Sequence, residues 1–210
     1  MKKKNIIIIG VTTVLVIGII LFAIFNSKGG NNSSGTIKTA RDIKHMINSI
    51  YKGVDLLETD TKEINVSNKE EVEAYTGLTS NKDVELLVVS EPLMNAQAYS
   101  LVVLKAKDGA DIEKMKLEMK ENIDMDKWIC VSASNLYITN NGNLIFMVMS
   151  SDDWAKPVYD NFKKYVNNNI GKELEKTNNM WDSTSYNSSW LINAPLVVLY
   201  FRRKLCYLQV

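Results

Sequence analysis

Apolar and polar positions follow three different patterns along this chain, and each predicts a different kind of element. The first is an unbroken block. Residues 5–25 carry no charge, and 15 of those 21 are Ile, Leu, Val or Phe. As a helix they span roughly 31 Å at about 1.5 Å per residue, which matches a bilayer core of about 30 Å. Their summed preference for insertion is roughly 5–9 kcal/mol. The second pattern has the period of an amphipathic helix. Ile43, Met46, Ile47, Ile50 and Tyr51 predict a helix over residues 39–51, with Gly53 as its stop. A second helix is expected after Ser67 or Asn68, opened by a capping box of Ser67 and Glu70 and closed by Gly77. Ile112, Met115, Met119 and Ile123 form one stripe of a third, over residues 111–123, which leaves Glu113, Lys116 and Glu118 among the outward charges.

The third pattern is that of strands. Residues 84–89 and 99–104 are rich in Val and Leu, and residues 136–139 and 144–149 repeat the theme around Asn140-Asn141-Gly142-Asn143. Asn141-Gly142 predicts a type I′ turn with two positive φ angles. A last helix is expected from about Trp154, with Val158, Phe162, Tyr165, Val166 and Ile170 inward. Pro157 suits only a position near its start, and Asp152 and Asp153 fit as capping residues favoured by the helix dipole.

The elements read strand–strand–helix twice, behind two N-terminal helices. This order predicts an α+β fold: a two-layer domain on an antiparallel sheet. The run 144–149 is apolar on both faces, so that strand is central and the first helix is expected to cover part of its second face. The organisation is then residues 1–26 as cytoplasmic lysines and a transmembrane signal anchor, 27–38 as a flexible linker, 39–178 as the extracytoplasmic domain, and 179–210 as a tail. The linker SKGGNNSSG holds no apolar residue that could pack. In the tail, the apolar run 190–201 spans only about 18 Å as a helix, too short for a bilayer. It reads equally as a terminal strand, a packed helix or an altered chain end.

Charge orients the anchor. Lys2, Lys3 and Lys4 precede the apolar block and are expected to stay cytoplasmic, which puts the domain outside the cytoplasm on a single-pass anchor in the cell membrane. No small-residue cleavage pattern follows the block. With a formal charge of +1, and no basic stripe interleaved with aromatics, nucleic acid is not an expected partner. One histidine and two cysteines exclude zinc sites built from several histidines or four cysteines.

Few residues invite chemistry. His45 falls between Ile43 and Met46 and reads as an ordinary, partly buried histidine, with Asp42 the only carboxylate placed to orient it. Cys130, within Trp128-Ile129-Cys130-Val131, reads as inert core, and a bridge to Cys206 is open. Asp152-Asp153 together with Asp124 and Asp126 could form an acidic hydrolase pair or a cation site, but neither cluster has calcium-loop spacing. Glu70 and Glu71 are a second acidic pair. Tyr51, Tyr75, Tyr99, Trp128, Tyr137 and Trp154 could line a peptide or glycan groove, although aromatics are usually core. No catalytic, cofactor-binding or metal site is assigned, and no cofactor is expected.

Ala74-Tyr75-Thr76-Gly77-Leu78, residues 98–104 (AYSLVVL), residues 111–115 (DIEKM) and the hairpin over 136–151 carry a resemblance. Over residues 39–176 the chain resembles an uncharacterised domain-of-unknown-function family of anchored or lipid-modified envelope proteins in Gram-positive bacteria. The resemblance implies envelope localisation and brings no activity or catalytic residue. The expected function is a membrane-anchored, non-catalytic binding or accessory module of the cell envelope, its partner an envelope protein or cell-wall ligand. A membrane-tethered hydrolase using carboxylates is the alternative.

Overall fold

The computed structural model describes residues 37–55, 58–94 and 97–178. The expected anchor, nearly all of the linker and the tail lie outside these residues. Among the described residues no helix is long and apolar enough to cross a membrane.

Four helices and six strands alternate along the described chain. Helix α1 (Ala40–Ile50) starts at Thr39, whose hydroxyl accepts from the Asp42 amide while the Asp42 carboxylate accepts from the Thr39 amide, a reciprocal capping box. It buries Ile43, Met46, Ile47 and Ile50, the predicted stripe. Strand β1 (Thr59–Glu63) follows, then α2 (Lys69–Thr76), β2 (Val84–Pro92), β3 (Ser100–Ala106), α3 (Ile112–Asn122), β4 (Asn135–Asn141), β5 (Leu144–Ser150), α4 (Asp152–Tyr165) and β6 (Leu174–Thr177). The strands form one antiparallel sheet of order β1-β2-β3-β5-β4-β6. Hairpins β2–β3 and β4–β5 meet at its centre, and the helices that precede them, α2 and α3, lie on the same face.

The α+β class, the antiparallel sheet and the doubled strand–strand–helix order hold. The expected two layers are three. Alternate residues of the central strands feed two separate cores. In β2, Leu87 and Val89 join Val102, Leu104, Ile145 and Met147 beneath α2 and α3, while Val88 between them joins Val103, Phe146 and Val148 beneath α1 and α4. Every residue of β5 is buried, which requires cover on both faces. Phe146 stacks on Phe162 of α4 with ring centroids 4.1 Å apart, and Tyr137 stacks on Tyr159 at 5.2 Å.

Several local expectations change. The cap of α2 is Asn68, which accepts from the Glu71 amide, and Ser67 instead donates its amide to Asn65. Gly77 does close α2, in the left-handed conformation. The β4–β5 register pairs Asn141 with Leu144, so the loop is Gly142-Asn143. Of the non-glycine residues with positive φ none lies in this loop, and Gly142 alone is positive at 57°, the pattern of a II′ turn rather than I′. Helix α4 begins at Asp152, with Ser151 as cap, so Asp152 and Asp153 occupy its first turn rather than its cap. Pro157 therefore lies inside the helix, where it removes the donor that would reach the Asp153 carbonyl. Both edge strands, β1 and β6, lack an apolar alternation, and the sequence pattern does not predict them.

Candidate functional site

Two regions gather chemistry-bearing side chains. The first lies where the turn after α1 meets α4. Asn161 donates its side-chain amide to the Ile50 carbonyl at 2.8 Å and so ties the end of α1 to α4. Beside this tie is an open depression of about 590 Å³, lined by Lys52, Asp152, Asp153, Lys156, Asp160 and Lys164 among others. Two of its three lining carboxylates are engaged. Asp152 accepts from the Tyr137 phenol at 2.6 Å, and both oxygens of Asp160 accept from Lys156 at 2.7 and 2.8 Å. Burial alone would raise the Asp160 carboxyl, but the bonds and charges of Lys156 and Lys163 outweigh it and hold the group below its ordinary value. Burial pushes the Tyr137 phenol up, and the Asp152 carboxylate it donates to pushes it further.

The second region lies on the other face, at the end of the sheet where β2 finishes and β3 begins. Lys127 reaches the Glu91 carboxylate and donates to Ser100 at 3.2 Å. Its ammonium also sits 5.3 Å from the ring centre of Tyr75 and 5.1 Å from that of Trp128. Lys62 approaches Tyr75 at 5.4 Å, and a bond to that phenol holds the lysine above its ordinary value. The Lys127–Glu91 contact brings together the segments that carry three of the four large apolar side chains exposed among the described residues, with Leu93 61% exposed, Met94 63% and Ile129 71%.

The residues singled out by sequence divide between these regions or fall outside both. His45 is exposed, not partly buried, because at about 3.6 residues per turn it lies on the side of α1 away from the buried Ile43, Met46, Ile47 and Ile50. Cys130 is also exposed, in the loop after α3 with φ of 68°, and is not inert core; it is not a free thiol. Cys206 lies outside the described residues. Asp124 and Asp126 form a helix-end turn in which the Asp126 amide donates to Asp124 at 2.8 Å. They belong to the face opposite Asp152 and Asp153, and the four do not form one site. Among the described residues no three potential metal ligands gather. Glu70 and Glu71 are exposed in the first turn of α2.

The aromatics do not line one groove. Tyr99 and Tyr137 are buried in the core beneath α1 and α4, while Tyr51 and Trp154 pack at its border. The Tyr99 phenol donates to that of Tyr51 at 3.0 Å, and burial pushes Tyr51 up to about 12. Tyr75 and Trp128 alone stand together at the lysine cluster. Sequence reasoning missed Lys62, Lys127 and Glu91, because a side chain on β1, one on β2 and one in a loop share no periodicity. No family model, curated protein or solved structure matches the chain.

Proposed function

We propose that this chain is a single-pass, membrane-anchored extracytoplasmic protein whose α+β domain serves as a non-catalytic binding or accessory module of the cell envelope. Its partner is an envelope protein or cell-wall ligand. The anchor rests on the uncharged block of residues 5–25 behind three lysines. The resemblance to anchored envelope proteins of Gram-positive bacteria points the same way. The observation that carries the binding role is the exposure of Leu93, Met94 and Ile129 on two segments joined by the Lys127–Glu91 contact, where Lys127 also meets Tyr75 and Trp128. A flexible linker raises the local concentration of such a surface near membrane partners, which favours a weak binder.

The test has two parts. Protease added to wall-stripped cells should remove the domain and leave the anchor, and full protection would overturn the topology. The purified protein should be retained by envelope fractions, and a Leu93→Ser, Met94→Ser, Ile129→Ser triple variant with unchanged melting should lose that retention. Equal retention would refute the surface.

The depression beside α4 supports the second reading, a carboxylate hydrolase. Asp152, Asp153 and Asp160 line it. Loss of a measurable cell-wall or peptide hydrolysis in Asp152→Asn, Asp153→Asn protein, with the fold intact, would favour this reading over the binding module.

A further inference from the structure

Lys116 is wholly buried, although its place in α3 reads as an outward charge. Its ammonium donates to the Asn140 side-chain oxygen at 2.7 Å and to the Lys172 carbonyl at 2.7 Å, and it meets the Glu113 carboxylate at 2.6 Å. Asn140, on β4, is itself 9% exposed. Its side-chain nitrogen donates to the Gly142 carbonyl at 2.8 Å, and its backbone carbonyl accepts from the Gly171 amide at 2.8 Å. Gly171 packs so closely that an added Cβ would stand 2.1 Å from the Asn140 side-chain oxygen. The carboxamide is thus clamped on several sides, with an amine against its carbonyl and a carboxylate against the amine.

We propose that Lys116 and Asn140 form an intramolecular isopeptide bond, with Glu113 relaying the proton. The nearness of the reactants is what makes the reaction accessible. With a C=O bond of about 1.23 Å, a nitrogen bonded to the oxygen lies roughly 3.5 Å from the carboxamide carbon, at the edge of attack range. Once a small rotation turns the amine from the oxygen toward the carbon, aligned groups at that range react as if at effective concentrations of about 10⁵–10⁸ M. Glu113 takes a proton from the Lys116 ammonium, and the freed amine attacks the Asn140 carbonyl carbon. The carbon–nitrogen bond to the original amide nitrogen breaks, and that nitrogen leaves as ammonia with a proton from the attacking amine. Ammonia then accepts the proton held by Glu113 and departs as ammonium. No oxidant, metal or cofactor enters this balance.

The product also relieves an energetic burden. A buried ammonium carries a desolvation cost that even good partners offset only in part, whereas a buried amide needs only its hydrogen bonds. Glu113, being half exposed, returns to solvent contact as an ordinary carboxylate. The bond would staple α3 to β4 across the loop that carries Trp128, Ile129 and Cys130, the same loop that supplies the exposed surface.

The experiment is mass spectrometry of the full chain, purified in detergent and incubated to completion. After reduction of disulfides, we expect a mass lower than that of the sequence by one ammonia, and a branched tryptic peptide that joins the segments around residues 116 and 140. An unchanged mass overturns the proposal. So does loss of ammonia without the branched peptide, because a succinimide at Asn140 or Asn141 gives the same mass. Glu113→Gln protein, verified as folded by circular dichroism, should keep the full mass, and a linked Glu113→Gln protein would overturn the relay. Lys116→Met should also keep the full mass, while retaining the packed methylenes.

Discussion

Gly77 offers the sharpest test of how this fold is held together, because two costs of adding one methyl group can be separated there. The residue closes α2 with φ of 75°, and its amide donates to the Glu73 carbonyl at 2.7 Å. An alanine in that conformation places its Cβ against backbone, at about 1–2 kcal/mol. The second cost comes from outside the helix. The new Cβ would stand 2.7 Å from the Ile123 backbone nitrogen and 3.1 Å from the Asn122 carbonyl carbon, at the end of α3. Backbone cannot step aside as a side-chain tip can, and such overpacking costs about 1–3 kcal/mol. Any retreat of α3 would also stretch the bond from the Asn122 side chain to the Gly77 carbonyl, now 3.0 Å. Gly77→Ala should therefore destabilise by about 2–5 kcal/mol. Gly53 is the control: its φ is 78°, and an added Cβ meets nothing within 4 Å. Gly53→Ala should show only the conformational cost of about 1–2 kcal/mol. Urea unfolding of each variant, with slopes compared as a check on two-state behaviour, measures both. Equal destabilisation by the two substitutions would refute the close approach of α2 to α3.

Phe146→Ala removes the ring that stacks on Phe162 at 4.1 Å and should cost about 3–5 kcal/mol in chemical denaturation; a loss below about 1 kcal/mol would mean that the core collapses around the gap. The Tyr159 phenol, which donates to Glu173 at 2.7 Å, is the main reason that the Glu173 carboxyl is held below its ordinary 4.5. Because the folded value is depressed, this contribution is present above pH 4.5 and lost as pH falls through the folded value, so the stability gap between wild type and Tyr159→Phe, about 1 kcal/mol at this partly exposed carboxylate, should be open at neutral pH and close in acid. A gap that widens in acid would contradict the assigned bond. His45→Gln should change stability by less than about 0.5 kcal/mol, since the side chain is exposed, and a larger thermal shift would place it in a contact.

What the sequence disclosed, and what it hid, follows from how each element gains its stability. The stripe of α1 and the double-sided run of β5 are legible because burial itself sets their period. From β5 alone, cover on a second face follows; that two helices lie on each face does not, since helix spacing says which side of a helix is apolar and not which side of a sheet it meets. The edge strands are hidden for the opposite reason. β1 reads TDTKE and β6 reads LEKT, sequences whose pairing rests on backbone bonds to β2 and β4 rather than on burial. Charged, short edges of this sort also resist pairing with other chains. Turn chemistry fails by one residue at Asn141-Gly142: the glycine is the positive-φ position, as expected, but the register fixed by the facing strands puts it first in the loop.

The least legible residues are those brought together at Lys116. Lys116 comes from α3, Asn140 from β4 and Gly171 from the segment before β6, and none stands out in its own neighbourhood of sequence. A lysine on an amphipathic helix is ordinarily solvated, so binary patterning places it outside, and only the sheet beneath α3 turns that position inward. Local rules and tertiary structure disagree at this point, and an unforced disagreement would be costly: a methionine there would fill the same space without a buried charge. Two explanations account for keeping the lysine. Either its polar contacts are needed to fix the register of α3 over β4, or its amine is there to react. The first predicts that Lys116→Met protein loses order while the wild-type chain retains its full mass. The second predicts a wild-type chain that is lighter by one ammonia and already stapled, and the mass of the purified protein decides between them.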